Sequence, residues 1–391
     1  MKKLTLLISL FTCFFFFPVS AQIDSCRLQI SLLTCTQGTD AYSAFGHTAI
    51  RVKDPAINLD RVFNYGTFDD SDPLFYWKFV QGIMNYELSS YDMVYFLREY
   101  QYFSRGVTEQ VLNLSCEQSH TILDALTRND LPENRVYQYH FTKNNCTTKS
   151  DDAIFNIIGK NVSISNALPE KIPTYRQLLH EYLDEGYQDW MKFGIDLILS
   201  SKIDTKVDSI GFRFLPKNLM NSFAKAKIGN QPLVKETNQL LPADTTLFEE
   251  TSLTPSIVFS VLLMLYVCLS FVQLRWVSLL LKLINFVLYF VLGALGVVLS
   301  ILWIIRVDEV CENNYNLLWA IPTHLIISFF IFSSKKWVAT YFRITMIIAI
   351  FTGIFWWFIP QNFNTAVIPI LGLIVASSYY ISRTIHHRQL K

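Results

Sequence analysis

Residues 139–152 read YHFTKNNCTTKSDD, and at Cys146 an alternating segment gives way to a helical one. Val136, Tyr137, Tyr139 and Phe141 come before it with the spacing of a strand, whereas Ile154, Phe155, Ile157 and Ile158 follow at helical spacing. Cys146 therefore stands at or near a helix N-terminus. The free N–H groups and the positive end of the helix dipole there stabilise a thiolate, lowering a thiol pKa from about 8.5 toward neutrality. A nucleophilic thiol is the sharper reading. A buried or disulfide-bonded cysteine is the commoner role for an arbitrary cysteine.

The 391-residue chain has room for two or three domains. Its 51% hydrophobic content and mean hydropathy of +0.28 are high for a soluble protein, and the apolar excess lies at the extreme N-terminus and after Pro255. A net charge of +1 carries no electrostatic footprint for nucleic acid. Lys2 and Lys3 precede an apolar run over 4–18, and Val19-Ser20-Ala21 supplies the small residues a signal peptidase reads. These features predict a signal peptide at 1–21 and export of the mature chain. An exported domain over 22–228 follows, then a linker at 229–255 marked by Pro232, Pro242 and several threonines. A membrane domain occupies 256–382, and a basic tail 383–391 ends the chain.

Five apolar runs are predicted as spans: 256–274, 276–305, 317–332, 338–359 and 366–382. Most fit the roughly 17 to 25 residues that cross a bilayer. The second is long enough to tilt or to break near Gly293 and Gly296, and the third is short. Arg275, Lys335, Lys336 and the tail fall on one side. The loop 306–316, with Asp308, Glu309 and Glu312, falls on the side of the exported domain, in agreement with the positive-inside rule. His324, inside the third span, either lines a cavity or is a hydrogen-bonded structural histidine.

In the exported half, FGHTAIRV starts a strand at His47, and RVFNYG over 61–66 forms the next, with Asn64 and Tyr65 on opposite faces. His47 reads either as a base held by a rigid strand or as a hydrogen-bonded strand histidine. Asp92 is placed to cap a helix through Phe103 that presents Arg98, and Ser115 to cap a helix over 116–128. Of the seven cysteines, Cys26, Cys35, Cys116, Cys146 and Cys311 lie outside the signal and the spans. Full pairing within an odd set leaves at least one thiol free. No phosphate-binding glycine loop or zinc-spaced cysteine set occurs, and His120, His140 and His180 are scattered. The pattern is α+β, with the histidine strand before the cysteine helix, the reverse of the order in papain-like enzymes.

The pair FGHTAIRV and NNCTT, with VFNYGTF between them, the signal peptide and the five C-terminal spans, resembles the Lnb-type lipoprotein N-acyltransferase family. More distantly, the His-strand and Asn-Cys helix start are similar to the permuted NlpC/P60-like acyltransferases of the lecithin:retinol acyltransferase group. The resemblance implies a circularly permuted papain-like (NlpC/P60-like) exported domain followed by a five-helix transmembrane domain. It implies transfer of an acyl chain, through a Cys146 thioester, to the N-terminal amine of a diacylated lipoprotein cysteine, leaving a lyso species. His47 matches the base, and Asn64 the group that orients it, although Tyr65, Ser43 and Asp69 are also near in sequence. The Cys146 N–H would form part of an oxyanion hole.

Tyr65, Lys143, Arg98 and His324 are candidate substrate-binding residues, and Lys149 and Arg51 join Lys143 and Arg98 as possible partners of a lipid phosphate. For each of these cations an ordinary solvated charge is the commoner role. Asn316, Trp319 and His324 would form a floor beneath Cys146 at the outer interface. Acyl transfer by a thiol implies no metal and no diffusible cofactor. The expected substrates are diacylated lipoproteins or phospholipid, with no nucleic acid and no obligate protein partner. The expected location is the inner (cytoplasmic) membrane, crossed several times, with the catalytic domain on the periplasmic side. The residue chemistry alone also admits a membrane-anchored Cys-His cell-wall peptidase or amidase, or a noncatalytic membrane-anchored assembly protein.

Overall fold

The computed structural model describes residues 26–389 apart from 70 and 165–167. The expected signal peptide lies outside the described residues. Seven strands form one antiparallel sheet: β1 (Gln29–Cys35), β2 (His47–Asp54), β3 (Leu59–Thr67), β4 (Asn85–Asp92), β5 (Val107–Leu112), β6 (Val136–Gln138) and β10 (Val234–Leu241). Their spatial order is β10-β5-β1-β2-β3-β4-β6. Three two-residue strands, β7 (Val162–Ser163), β8 (Lys227–Ile228) and β9 (Gln231–Pro232), form a separate small sheet.

The central strands are buried on both faces, because alternate side chains feed two different cores. Ile30, Leu32, Ile50, Val52, Phe63 and Tyr65 pack with Ile154 and Ile158 of the Cys146–Ile158 helix, Ile122 and Leu126 of the Cys116–Asn129 helix, and Leu219 and Phe223 of the Pro216–Lys225 helix. Leu33, Cys35, Ala49 and Val62 face the other way, onto Met93, Phe96 and Tyr100 of the Met93–Tyr102 helix. The exported half is thus a sheet between two helical layers. Ser115 caps its helix through a reciprocal box with Gln118, whereas the Asp92 side chain makes no cap hydrogen bond. Cys26 is disulfide-bonded to Cys116.

Three expectations are corrected. The strand before Cys146 ends at Gln138, and Phe141 lies in a turn closed by reciprocal His140–Asn144 backbone hydrogen bonds. The segment 229–255 is not simply a linker: its residues 234–241 are the edge strand β10, paired to β5 with two register shifts. A polar, proline-flanked edge strand alternates too weakly to announce itself, and its partner lies far away in sequence.

The third correction is in the membrane half. Among the described residues, three helices are long and apolar enough to cross a membrane, namely Arg275–Ile305, Lys336–Ile354 and Val367–His387, with a shorter apolar helix at Pro255–Ser270. The predicted span 317–332 is not one helix. It comprises a 3-10 turn at Tyr315–Leu318, a break through Ile321-Pro322, and a five-residue helix, His324–Ser328. Arg275–Ile305 runs unbroken past Gly293 and Gly296, whose role is close approach. A Cβ on Gly293 would lie 1.9 Å from the Leu325 N, and one on Gly296 2.1 Å from the Ala320 carbonyl oxygen. The irregular segment is thereby backed by protein, which an unpaired backbone at membrane depth requires.

The loop 306–316 and a second loop, 360–364, which the sequence also places on the outer side, dock on the exported half. The Asn314 and Asn316 amides donate to the carbonyls of Leu197, Ile198 and Asp196, and Ser200 N–H donates to Val310 O. From the second loop, Asn362 donates to Asp204 and Asn364 to Asp196. Arg176 organises both acids from beneath, donating to Asp196, Asp204 and the carbonyls of Leu199 and Ser200. Burial opposes the charge on Asp196, yet His180 and Arg176 together hold its carboxyl below the usual range.

Candidate active site

The Cys146 helix begins where its cap dictates. The Asn145 side-chain oxygen accepts from the N–H groups of Thr147 and Thr148, each at 2.9 Å, and the Thr148 hydroxyl accepts from Asn145 N–H at 2.8 Å. The Asn145 amide then donates to the carbonyls of Phe141 and Phe214, which anchors the cap from both sides. This cap does not engage the Cys146 N–H, the first amide of the helix.

His47 starts β2, one residue before Thr48, whose hydroxyl is 3.1 Å from that of Thr147 on the cysteine helix. The His47 Nε2 lies 2.5 Å from Asn64 Oδ1, and the Asn64 amide donates onward to Tyr91 OH at 3.1 Å. With Nε2–H given to Asn64, Nδ1 is the nitrogen left for the thiol.

Gly66 decides how the thiol and the imidazole meet. Asn64 and its partner Tyr91 belong to the sheet face that carries the Met93–Tyr102 helix, while the cysteine helix packs on the opposite face. Gly66 sits at a register shift between Tyr65 and Thr67, with φ +98°. A Cβ there would lie 3.4 Å from Cys146 Cβ and 3.9 Å from His47 Cε1. An absent side chain thus leaves the two groups facing each other past the end of β3. The sequence signal was available: a glycine inside a strand pattern marks a bulge or a close approach.

The electrostatics separate this thiol from the others. Burial pushes the Cys146 thiol up, but the charge of and hydrogen bond from His47, with the Thr48 N–H and the Thr147 hydroxyl, bring it down to about 7. Burial likewise lowers His47, and the Cys146 thiolate and Asn64 outweigh it, so the imidazole pKa is raised. Cys35 and Cys311, both buried, are pushed up to about 12. The arrangement sets a thiol of lowered pKa beside an imidazole of raised pKa at a helix start, a pair suited to attack on an electrophilic carbonyl and to moving a proton at Nδ1.

This assigns a test. In His47→Ala, burial loses its main opponent, so the Cys146 thiol titrates well above 7. Alkylation by iodoacetamide at pH 7 slows several-fold, and the rate profile moves to higher pH. An unchanged profile would break the pairing.

The other candidates are placed elsewhere. Tyr65 is buried in the core, with the Lys149 ammonium 5.6 Å from its ring centre and 5.0 Å from that of Tyr137. Arg51 is held by Asp60 and Glu109. Lys143 is exposed in the turn before the helix, and Arg98 is exposed on the Met93–Tyr102 helix, stacked over Tyr95. His324 is fully buried in the membrane half, its Nδ1 2.6 Å from Tyr341 OH. Asn316 and Trp319 are likewise buried, bonded to each other and to the 189–198 helix, so this trio builds the joint and the membrane core instead of an open floor. Of the residues singled out in the sequence, the fold brings together Cys146, His47 and Asn64. Gly66, Thr48 and Tyr91 complete the arrangement and were missed.

Two family models match the chain. Residues 17–181 match the Lnb N-terminal periplasmic domain, and residues 247–389 match the Lnb transmembrane domain. Searches of curated proteins and of solved structures return no match.

Proposed function

Because this chain belongs to the Lnb family and joins a periplasmic N-terminal domain to a transmembrane domain, we propose that it is a thiol-dependent lipoprotein N-acyltransferase of the inner membrane. The observation that carries the reading is the Cys146 thiol, brought to about 7 beside His47 while the other buried thiols stay protonated.

The Cys146 thiolate attacks the ester carbonyl of a membrane-embedded acyl donor. The Cys146 N–H, which the cap leaves out, donates to the oxyanion. His47 gives its Nδ1 proton to the departing alkoxide, so the products are a lyso species and a Cys146 thioester. His47, now neutral, takes a proton from the α-amine of the lipoprotein cysteine as that amine attacks. The amide forms, and the thiolate leaves beside the imidazolium, which restores the starting pair. Asn64, held by Tyr91, keeps the imidazole in the tautomer and orientation both steps use. The order of histidine strand before cysteine helix supports a permuted papain-like reading of the domain. Docking of both outer loops on the exported half supports a chain that crosses the membrane several times.

The decisive experiment is intact-mass measurement of the purified full-length protein after incubation with vesicles that contain a diacylated lipoprotein whose α-amine is blocked, so that the thioester has no acceptor. The expected result is a mass increment of one acyl chain on wild type, removed by hydroxylamine and absent in Cys146→Ala. Chase with a lipoprotein bearing a free α-amine should move that acyl chain to the amine. Release as free fatty acid instead would favour a hydrolase, and no adduct at all would refute the covalent step.

A further inference from the structure

The Phe75–Val80 helix, FYWKFV, contains no fully buried residue, and Tyr76, Trp77 and Phe79 are exposed. Tyr76 is 74% exposed and Trp77 53%, and Leu74 beside them is exposed as well. Such a row on a water-facing surface would be an unexplained apolar patch. Its position explains it. Val80 packs against a cluster of Val310, Cys311 and Leu302, the last in the final turn of the long apolar Arg275–Ile305 helix. Arg306 Nη1 donates to Phe79 O at 3.1 Å, and Val307 N–H to Gln81 O at 3.0 Å. The helix is thereby pinned at the level where a membrane-crossing segment ends, and Trp and Tyr partition to that level because each has an apolar body and a polar tip.

From this helix a continuous row of rings leads back to the turn that precedes Cys146. Phe75 stacks on Phe68 at 5.3 Å, Phe68 meets Tyr86 at 5.2 Å, Tyr86 meets Tyr139 at 4.4 Å, and Tyr139 meets Phe141 at 5.8 Å, all between ring centres. Phe68 ends the segment that carries Asn64 and Gly66, and Phe141 accepts from the Asn145 cap through its carbonyl. Phe68, next to the helix, and Phe141, at the far end of the row, therefore belong to the segments that build the Cys146 site.

We propose that the Phe75–Val80 helix lies in the outer bilayer surface among phospholipid acyl chains, and that the ring row Phe75-Phe68-Tyr86-Tyr139-Phe141 guides an acyl chain from there to Cys146. The guiding role rests on the acyl-transfer reading above. The interfacial seat of the helix does not. The occupant is an acyl chain because the row starts on the helix that packs beside the end of an apolar span, and because three of its five side chains are phenylalanines, with Phe68 and Phe141 exposed.

The test places p-benzoylphenylalanine at Tyr76 in the full-length protein, reconstituted in phosphatidylethanolamine–phosphatidylglycerol vesicles and irradiated. The same probe at Ile57, 71% exposed in the β2–β3 turn at the other end of β2 from His47, is the control. A phospholipid adduct at position 76, many-fold above that at 57 and retained in Cys146→Ala, is expected. Adducts to a second protein chain, or none to lipid, would overturn the interfacial seat.

A second arm reads the guiding role. Tyr76→Ser with Trp77→Ser should lower Cys146 thioester loading from vesicles several-fold, while the iodoacetamide rate of Cys146 stays at the wild-type value. Undiminished loading in this variant would overturn the guide. Absence of a thioester in wild type would instead strike the proposed function and leave the cross-link result standing.

Discussion

Acyl transfer by Cys146→Ser is expected to fall on the order of 10³-fold or more, with the protein still folded. At pH 7 a thiol with a pKa of about 7 is about half ionised before substrate arrives. A serine hydroxyl in the same place stays protonated, so the whole cost of ionising it is added to the barrier of the attack. The substitution removes little else. Cys146 is half-buried, the swap leaves its Cβ in place, and the Asn145 cap does not use its side chain. The measurement is the rate of lipoprotein N-acylation in reconstituted vesicles, normalised to folded protein by thermal unfolding. Wild-type turnover by the serine variant would remove the covalent mechanism.

The second large effect lies away from the thiol. Arg176→Met should destabilise the protein by about 3–5 kcal/mol and loosen the exported half from the membrane half. Arg176 is 1% exposed and donates to two buried carboxylates, Asp196 and Asp204, and to two backbone carbonyls. Methionine fills much of the volume but leaves both acids without their common cation. Those acids are the acceptors for Asn364 and Asn362, and the Asp196 carbonyl is an acceptor for Asn316. The same charge that is stranded therefore belongs to the joint. A lowered midpoint of thermal unfolding in detergent, with faster protease cleavage in the loop 306–316, is the expected outcome. Adding Asp196→Asn and Asp204→Asn to the variant should recover part of the loss, since no buried charge then lacks a partner. An unshifted midpoint in Arg176→Met would show that the hub does not hold the joint.

The joint has an acid limit of the same origin. Asp196 titrates below the usual carboxylate range, so its contribution is complete above that range and is lost as pH falls through its lowered value.

The sequence by itself determined what short-range chemistry determines. Apolar length marked the membrane half, and a polar cap before a helical pattern placed Cys146 at a helix start. Strand period put Asn64 and Tyr65 on opposite faces, but period two does not say which face meets the histidine. Pairing of β2 with β3 and the bulge at Gly66 decided that, giving His47 to Asn64 and burying Tyr65. Residues 234–241 carried too little alternation to be seen as a strand, because an edge position tolerates polar residues and its hydrogen bonds go to β5, more than a hundred residues earlier. The interrupted third segment of the membrane half was hidden for a related reason. Hydropathy counts apolar residues and cannot register that Pro322 breaks the helix, or that Gly293 and Gly296 admit the exposed backbone. Likewise Arg176, His324 and Asn316 were plain polar residues until packing surrounded them. Local preference is set by neighbours a few residues away, whereas the meaning of a buried polar group is set by partners that only the folded chain supplies.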